Sequence, residues 1–272
     1  MMHFNFLIKP IKSLAFIIIF FSLFKNCFAQ QYDQLYIEKS KVDANNTFFT
    51  LGKEIVYEIR ISRGGESIFL AENSYAGYKL TSNPDSATVS KVYMKVIQPK
   101  RFKRTNKNQT EILIYYSDPP RSVSSTGVVE NDQNIWIHPP RQGFFKCLET
   151  CPFPYLKFGL NEGDTWQDKM SIGQNWSDPL WGEWEGRLLL DYTYTMGGNS
   201  KVKTPFGDLD CAEINATASS NIGQSKLEAV FSSKFGFIAL DYTLFNGIEI
   251  SLQMIENSEG EVIRKAEDLF SN

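Results

Sequence analysis

The sequence predicts a mainly β protein, a curved antiparallel meander that forms an open half-barrel or barrel-like sheet with a few short helices. Polar and apolar residues alternate with a period of two in many segments, which indicates half-buried strands. Aromatic residues make up 14% of the chain, as expected where strands are frequent. Short turn motifs such as Asn246-Gly247 separate successive segments. Antiparallel strands joined by short turns form a sheet that must close, curl or be covered at its edges.

The N-terminal half contains four predicted strands. Each is a short run of β-branched and aromatic residues, and the clearest alternates lysine with apolar side chains. The four runs are Glu54–Ile61, Lys91–Ile97, Glu111–Tyr116 and Asn134–His138.

The C-terminal half gives a clearer series of strands and turns. A long strand, Trp184–Thr195, is predicted to turn at Gly197–Asn199. Pro205-Phe206-Gly207 forms a tight turn, with proline at its second position. Asn246-Gly247 predicts a type I′ hairpin, because both residues accept positive φ. The other predicted strands are Lys201–Thr204, Leu209–Thr217, Ser225–Phe231, Phe237–Phe245 and Ile248–Ile255.

Helical periodicity is scarce. The two candidates are short segments near Phe144–Leu148 and Glu261–Phe270. Residues 30–272 are predicted to form a single β-rich domain, with a weak seam at 118–165 where prolines interrupt the alternation.

Residues 1–29 read as a secretory signal peptide. A basic start is followed by an apolar run of about 11 residues, short of the ~20 that span a bilayer. Cleavage is predicted between Ala29 and Gln30, so the protein is expected to be exported, periplasmic or secreted. Cys27 raises the alternative of a lipoprotein, but Phe24-Lys25-Asn26 lacks the small residues expected before a lipidated cysteine. We expect no transmembrane span after cleavage.

Charge argues against a nucleic-acid partner. Beyond residue 29 the chain holds 25 basic and 31 acidic residues, a formal charge of −6. One dense basic cluster, Lys100–Arg104, interrupts this acidic background. It is either a solvated hairpin tip or a contact for an acidic surface such as lipid headgroups or an anionic glycan.

The segment Ile135–Tyr155 carries the densest unusual chemistry. Its prolines make a stiff crossing outside the sheet. Such a crossing could line or cover a ligand pocket, or its aromatic rings could plug one end of the sheet. The candidate ligand-binding residues are His138, Arg141, Phe144, Phe145, Phe153 and Tyr155.

Tryptophans cluster just beyond this crossing. Trp176, Trp181 and Trp184 are further candidate ligand-binding residues, with Trp166 nearby. They could form a carbohydrate platform, an aromatic belt at a membrane or sheet rim, or part of the core.

His138 is the only histidine beyond residue 29, which limits histidine-based catalysis to this position. No Gly-x-Ser-x-Gly motif marks a nucleophile. Acidic pairs such as Glu183 and Glu185 suggest a glycosidase, which uses two carboxyl groups, although acidic residues are common in this chain. We predict no catalytic residue.

Three cysteines remain after cleavage. Cys147 and Cys151 are the first candidates for a disulfide, which would need a non-helical turn, with pairing to Cys211 or no pairing as alternatives. A zinc site formed by His138 and the three cysteines has suitable ligand types, but its spacing is unusual. We predict no metal and no cofactor.

The C-terminal half resembles a family of exported bacterial domains of unknown function that are related to periplasmic lipoprotein-localisation carriers. The resemblance lies in the runs 203–217, 226–233 and 235–242 and covers roughly residues 184–256. It implies an open, strongly curved half-barrel with short helices over its mouth; the carriers hold acyl chains in that concavity. The His138–Tyr155 crossing and the sparse helices depart from the carriers, and no ligand-contact residue can be transferred.

Three hypotheses follow. The first is an exported non-enzymatic protein that binds a lipid or another apolar ligand in its concave sheet. The second is a structural or protein-interaction component of the bacterial cell envelope, with a filled sheet and an envelope protein as partner. The third is a secreted hydrolase, which requires His138 or an acidic pair in a polar cleft.

Overall fold

The structure, a computed structural model, describes residues 35–39, 41–73, 77–100 and 102–270. The predicted signal peptide and its cleavage site at Ala29 and Gln30 lie outside the described residues. No helix in the described ranges is both long enough and apolar enough to cross a membrane.

Fourteen antiparallel strands account for most of the regular structure within these ranges. They are β1 Lys53–Arg63, β2 Glu66–Asn73, β3 Gly77–Thr81, β4 Lys91–Ile97, β5 Thr110–Tyr115, β6 Ser124–Glu130, β7 Asn134–Ile137, β8 Tyr155–Lys157, β9 Thr165–Gly173, β10 Arg187–Thr204, β11 Gly207–Ser220, β12 Gly223–Ser232, β13 Gly236–Thr243 and β14 Ile248–Glu259. The described helices are 3-10 turns at Pro84–Ser86, Gly143–Thr150, Gln174–Trp176 and Ala266–Phe270. The predicted mainly β fold class is confirmed.

Twelve of these strands form one continuous curled sheet in the order β8-β7-β6-β5-β4-β1-β14-β13-β12-β11-β10-β9. Two meanders therefore run outward from the central pair β1 and β14, which joins residues about 200 positions apart. β2 and β3 form a hairpin that branches from β1. The strand path runs without a break from β5 through β8, across much of the predicted seam.

The two edge strands of this path approach each other through aromatic rings. The Tyr155 ring on β8 lies 6.0 Å from the Trp166 ring on β9, and Trp166 stacks on Tyr194 of β10 at 5.2 Å. The curled sheet thus protects its edges with side chains, as an open half-barrel requires.

One predicted turn was wrong, and one predicted hairpin is present with another type of turn. Gly197–Asn199 does not reverse the chain, because β10 continues through it with a register shift against β11 between Met196 and Asn199. A side chain at Gly197 would lie 2.8 Å from the Glu213 Cβ atom, so glycine permits this close bulge. At the last hairpin Gly247 has positive φ while Asn246 does not, so the connection is a longer loop and not a type I′ turn.

The C-terminal segment covers part of the outer face of the sheet. Ile263 packs on Ile97 of β4 and Leu113 of β5, which point away from the main core. The Gln98 backbone N–H donates to the Ile263 carbonyl at 2.9 Å. This small second cluster joins the end of the described chain to the start of the loop after β4.

Candidate functional site

The predicted crossing lies across the concave face of the sheet. Phe145 stacks on Tyr116 at 4.9 Å, and the Ser225 hydroxyl of β12 donates to the Thr150 carbonyl at 2.7 Å. Tyr194 donates from its hydroxyl to the Phe153 carbonyl at 3.0 Å. Side chains from both halves of the sheet therefore contact the same crossing segment.

Glycine is needed where the crossing enters its 3-10 helix. Gly143 has φ of 60°, and an added Cβ atom would lie 2.4 Å from the Tyr78 ring. A larger residue would be strained and would collide with this ring. The sequence thus specifies the turn that directs Phe144 and Phe145 inward.

The four predicted aromatic ligand-binding residues of the crossing are buried in the core. Phe144, Phe145, Phe153 and Tyr155 are each at most 2% exposed. Their rings belong to the same apolar cluster as the inward residues of the sheet. They occupy space in the concave face that a bound lipid would need, as expected if they plug the sheet.

His138 and Glu149 meet beside these four buried rings, which we call the plug. The His138 Nε2 atom lies 3.2 Å from the Glu149 Oε1 atom, and both side chains are largely buried. The His138 ring also packs against Phe153 at 4.7 Å and near Trp136 at 6.0 Å. Arg141 is half-buried near both titratable groups.

Burial favours the neutral form of both groups. Burial, with the positive charge of Arg141, lowers the pKa of His138 to about 4. Burial raises the pKa of the Glu149 carboxyl to about 7, against an opposing effect of Arg141. His138 Nδ1 lies 3.1 Å from the Pro139 carbonyl, which can only accept, so Nδ1 carries the proton. Nε2 can then accept a hydrogen bond from protonated Glu149, so between about pH 4 and pH 7 the contact is a neutral pair and not an ion pair.

The described cysteines are free and buried. Cys147 and Cys151 lie at the two ends of one turn of the crossing, and burial raises the pKa of Cys151 to about 12. The predicted disulfide between them is absent from the structure, and its formation in the oxidised protein stays a prediction. Within the described residues no three histidine, cysteine or acidic side chains form a group that could hold a metal.

The tryptophan-rich segment packs against the sheet. Trp181 is 5% and Trp184 is 9% exposed, whereas Trp176 is half-buried. The Trp181 Nε1 atom donates to the Trp176 carbonyl at 2.9 Å. The rings of Trp181 and Trp184 lie in the main apolar cluster, which matches the core-packing alternative.

A surface cleft of about 680 Å³ lies on the outer side, away from the plug. We call it the basic cleft; three exposed cations, Lys39, Lys107 and Arg264, line it together with the Phe102 ring. Phe102 is 92% exposed, the highest value among the large apolar residues described as exposed. Part of the basic cluster noted in the sequence thus faces a concave surface.

One ion pair forms a wall of the basic cleft. Arg104 binds Asp43 through two guanidinium nitrogens and donates to the Gln109 carbonyl at 2.9 Å. Asp43 raises the pKa of Arg104 through this hydrogen-bonded pair. The charge of Arg104 is thereby balanced, and the positive charge of the cleft comes from the three exposed cations.

Sequence reasoning missed several of these residues. Lys39 and Arg264 lie far from the basic cluster along the chain, and only tertiary packing brings them beside Lys107. Glu149 was missed because its neighbours in sequence gave no sign that it would face His138. Single charged residues in loops carry no periodicity that could indicate a shared site.

Comparisons with known proteins give only distant similarities. No protein-family description and no curated protein matches the chain. A Bacteroides fragilis protein described as exported and having a YmcC-like fold superposes with a TM-score of 0.40 at 9% identity, covering 79% of this chain and 98% of that one. The hypothetical lipoprotein YmcC of Escherichia coli gives a TM-score of 0.32 at 10% identity, covering 80% and 94%. A protein of Parabacteroides distasonis described as a lipoprotein gives 0.38 at 10% identity, covering 79% and 100%.

Proposed function

We propose that this protein is an exported, non-enzymatic component of the bacterial cell envelope that meets its partner on an outer surface. Export is supported by the signal-peptide pattern of residues 1–29. The observation that carries the proposal is the occupied concave face, where the crossing segment packs against both halves of the sheet.

This arrangement favours the envelope-component hypothesis over a lipid carrier. A carrier needs inward apolar surface that its own core does not use. Here the rings of Phe145 and Tyr155 have no exposed surface. Removing them from the concave face would break the stack with Tyr116 and the contacts with Trp166. To hold an acyl chain as the lipoprotein-localisation carriers do, the protein would have to move these two rings out of the concave face, and their contacts oppose that movement.

The hydrolase hypothesis requires groups with shifted pKa values in a polar cleft. His138 and Glu149 have such pKa values, but the surroundings described for them are not a polar cleft. The described contacts of the His138 side chain are with Pro139, Glu149 and two aromatic rings. A general base must reach a nucleophile or a water near the substrate. The buried pair is better suited to holding the crossing in place.

Native mass spectrometry tests the proposal. The mature protein is purified from an oxidising host compartment, and its native mass is compared with its denatured mass. We expect equal masses, because the plug leaves the concave face occupied. A stoichiometric adduct that is released on unfolding and extracts as lipid would overturn the proposal in favour of the carrier.

A cavity variant provides the matched control. Phe145→Ala removes a fully buried ring and leaves a space lined by apolar groups. This variant should take up a small aromatic probe that the wild-type protein excludes. Uptake of the same probe by the wild-type protein would contradict the occupied concave face.

A further inference from the structure

We propose that the basic cleft is a docking site for an anionic phospholipid surface, with Phe102 inserted at the level of the headgroups. This inference rests on the proposed function, since it names the partner that the outer surface meets. It assigns a role to the exposed Phe102 and to the exposed lysines on either side of it, Lys100 and Lys103, which the core does not explain.

Unbalanced positive charge is the first argument. Lys39, Lys107 and Arg264 are exposed and have no ion-pair partner in the described part of the chain. Two acidic groups nearby face other cations: Asp43 binds Arg104, and Asp268, which accepts from the Arg264 backbone N–H at 3.0 Å, pairs with the Lys265 ammonium at 3.9 Å. The three side chains can therefore neutralise phosphates without first breaking a contact.

This local charge stands against an acidic background. The chain beyond residue 29 has a formal charge of −6, so long-range attraction to an anionic membrane is not expected from the protein as a whole. At physiological ionic strength charges more than about 8 Å apart are largely screened. The three cations of the cleft thus act locally, and they orient this face toward a negative surface.

The exposed ring is the second argument. Phe102 lies in a loop with Lys100 and Lys103 on either side, and both lysines are exposed. An apolar ring beside flexible cations is the arrangement by which peripheral proteins attach to membranes: the ring enters the interface and the cations reach phosphates.

A lipid surface fits better than an anionic glycan. Sugar binding uses polar groups fixed around an aromatic face, whereas the long side chains of Lys39, Lys107 and Arg264 come from three separate segments of the chain. Such cations suit a plane of mobile headgroups, which needs charge and no fixed geometry.

Backbone contacts hold the segments of the cleft together. Glu111 accepts from the Thr105 backbone N–H at 3.1 Å, and Gln98 donates to Ile263 at 2.9 Å. Together with the Arg104–Asp43 pair, these bonds connect the loop after β4 to the N-terminal and C-terminal segments. The fold thus holds the backbone segments of the cleft together, while the exposed side chains of its cations stay flexible.

Vesicle co-sedimentation tests the inference with the full mature chain. Wild-type protein is mixed with vesicles of phosphatidylcholine alone and with vesicles containing about one third phosphatidylglycerol. We expect binding to the anionic vesicles that weakens as salt is added. Each cation near an anionic surface contributes about five-fold in affinity, so K39Q/K107Q/R264Q should weaken binding about 100-fold.

Matched control variants distinguish the effect of the cleft on vesicle binding from the effect of net charge. K201Q/K203Q/K226Q changes the net charge equally at exposed lysines outside the cleft and should bind as the wild type does. F102S should weaken binding to the anionic vesicles, while L189S, which alters another exposed apolar residue, should not. Thermal unfolding shows whether each variant remains folded.

The outcomes also distinguish this inference from the proposed function. The inference is overturned if the wild type does not bind anionic vesicles, or if the cleft variant and the control variant lose binding equally. In either case a native mass without lipid would still support the proposed outer-surface role. Salt-sensitive binding to an anionic polysaccharide without vesicle binding would assign the cleft to a glycan instead. A co-purified interior lipid would overturn the proposed function, whatever the vesicles show.

Discussion

The neutral pair His138–Glu149 predicts an unusual pH dependence of stability that single substitutions should reveal. The pKa of Glu149 is raised from 4.5 to about 7 in the folded protein, so this group stabilises the fold below pH 4.5 and loses that contribution as pH rises through about 7. The pKa of His138 is lowered from 6.5 to about 4, so its contribution is present above pH 6.5 and is lost as pH falls through about 4.

The two effects are nearly equal and opposite. Each change of pKa, from 4.5 to about 7 for Glu149 and from 6.5 to about 4 for His138, corresponds to about 3 kcal/mol of unfolding free energy. Between about pH 4.5 and pH 6.5 they cancel, and the pair adds little pH dependence to the wild-type protein. Removing one partner should expose the slope of the other, because burial is the first cause of both shifts and persists in the variant.

Urea unfolding at a series of pH values measures this. For E149Q the unfolding free energy should rise by about 3 kcal/mol from pH 4 to pH 6.5, relative to the wild type. For H138Q it should fall by about 3 kcal/mol from pH 4.5 to pH 7. The double variant should return to the wild-type slope, since other titrating groups are common to all four proteins. Parallel curves for the two single variants would refute the buried neutral pair.

Three further results are expected. E130A should lower the unfolding free energy by about 3 kcal/mol in chemical denaturation, because the buried Glu130 carboxylate accepts three backbone N–H bonds from the N-terminal segment, while E130Q, which keeps one acceptor oxygen, should lose less. Lys95 is 3% exposed and paired with Glu54, so E54A should cost about 2 kcal/mol by leaving a buried ammonium unpaired, whereas K95M should change stability by less than about 1 kcal/mol. A thiol reagent should label Cys147 and Cys151 only after unfolding, because both are buried and free; absence of their label in unfolded, unreduced protein would instead demonstrate the predicted disulfide.

The unfolding free energies of E54A and K95M also test the argument about the Lys95–Glu54 pair. If the ion pair itself stabilised the fold, both variants would lose the same free energy. Equal losses would therefore contradict the argument that desolvation of Lys95 offsets most of the attraction to Glu54.

Local alternation was sufficient to locate most strands. Lys91–Ile97 has the predicted bounds, since Val92, Met94 and Val96 enter the main core while the alternate residues lie on the other face of the strand, where Lys95 is buried beside Glu54. Five strands were missed, and one of them, β9, does alternate between buried and exposed residues over its first half. Two of the others lacked this signal. Ser124–Glu130 begins with small polar residues and Tyr155–Lys157 has only three residues, so neither contains enough alternation to indicate a strand.

The candidate site was predicted less well than the strands. The segment from His138 to Tyr155 was predicted as a stiff crossing outside the sheet, because prolines restrict the backbone locally. The structure places residues 138–154 outside the strands, whereas Tyr155 begins β8. Whether the aromatic rings of this segment lined a pocket or filled the core was left open. That choice depends on how closely β10 and β12 approach the crossing, and the contacts of Tyr194 and Ser225 with it settled the packing.

The sequence by itself determined the strand class, a proline-rich crossing and an isolated basic cluster in an acidic chain. These properties follow from side-chain period, backbone restriction and composition, which act over a few residues. Only the tertiary structure paired β1 with β14, placed Glu149 beside His138 and brought Lys39 and Arg264 to one cleft. Such contacts join residues that are distant along the chain, and they are selected by the packing of the whole sheet, which no local pattern encodes.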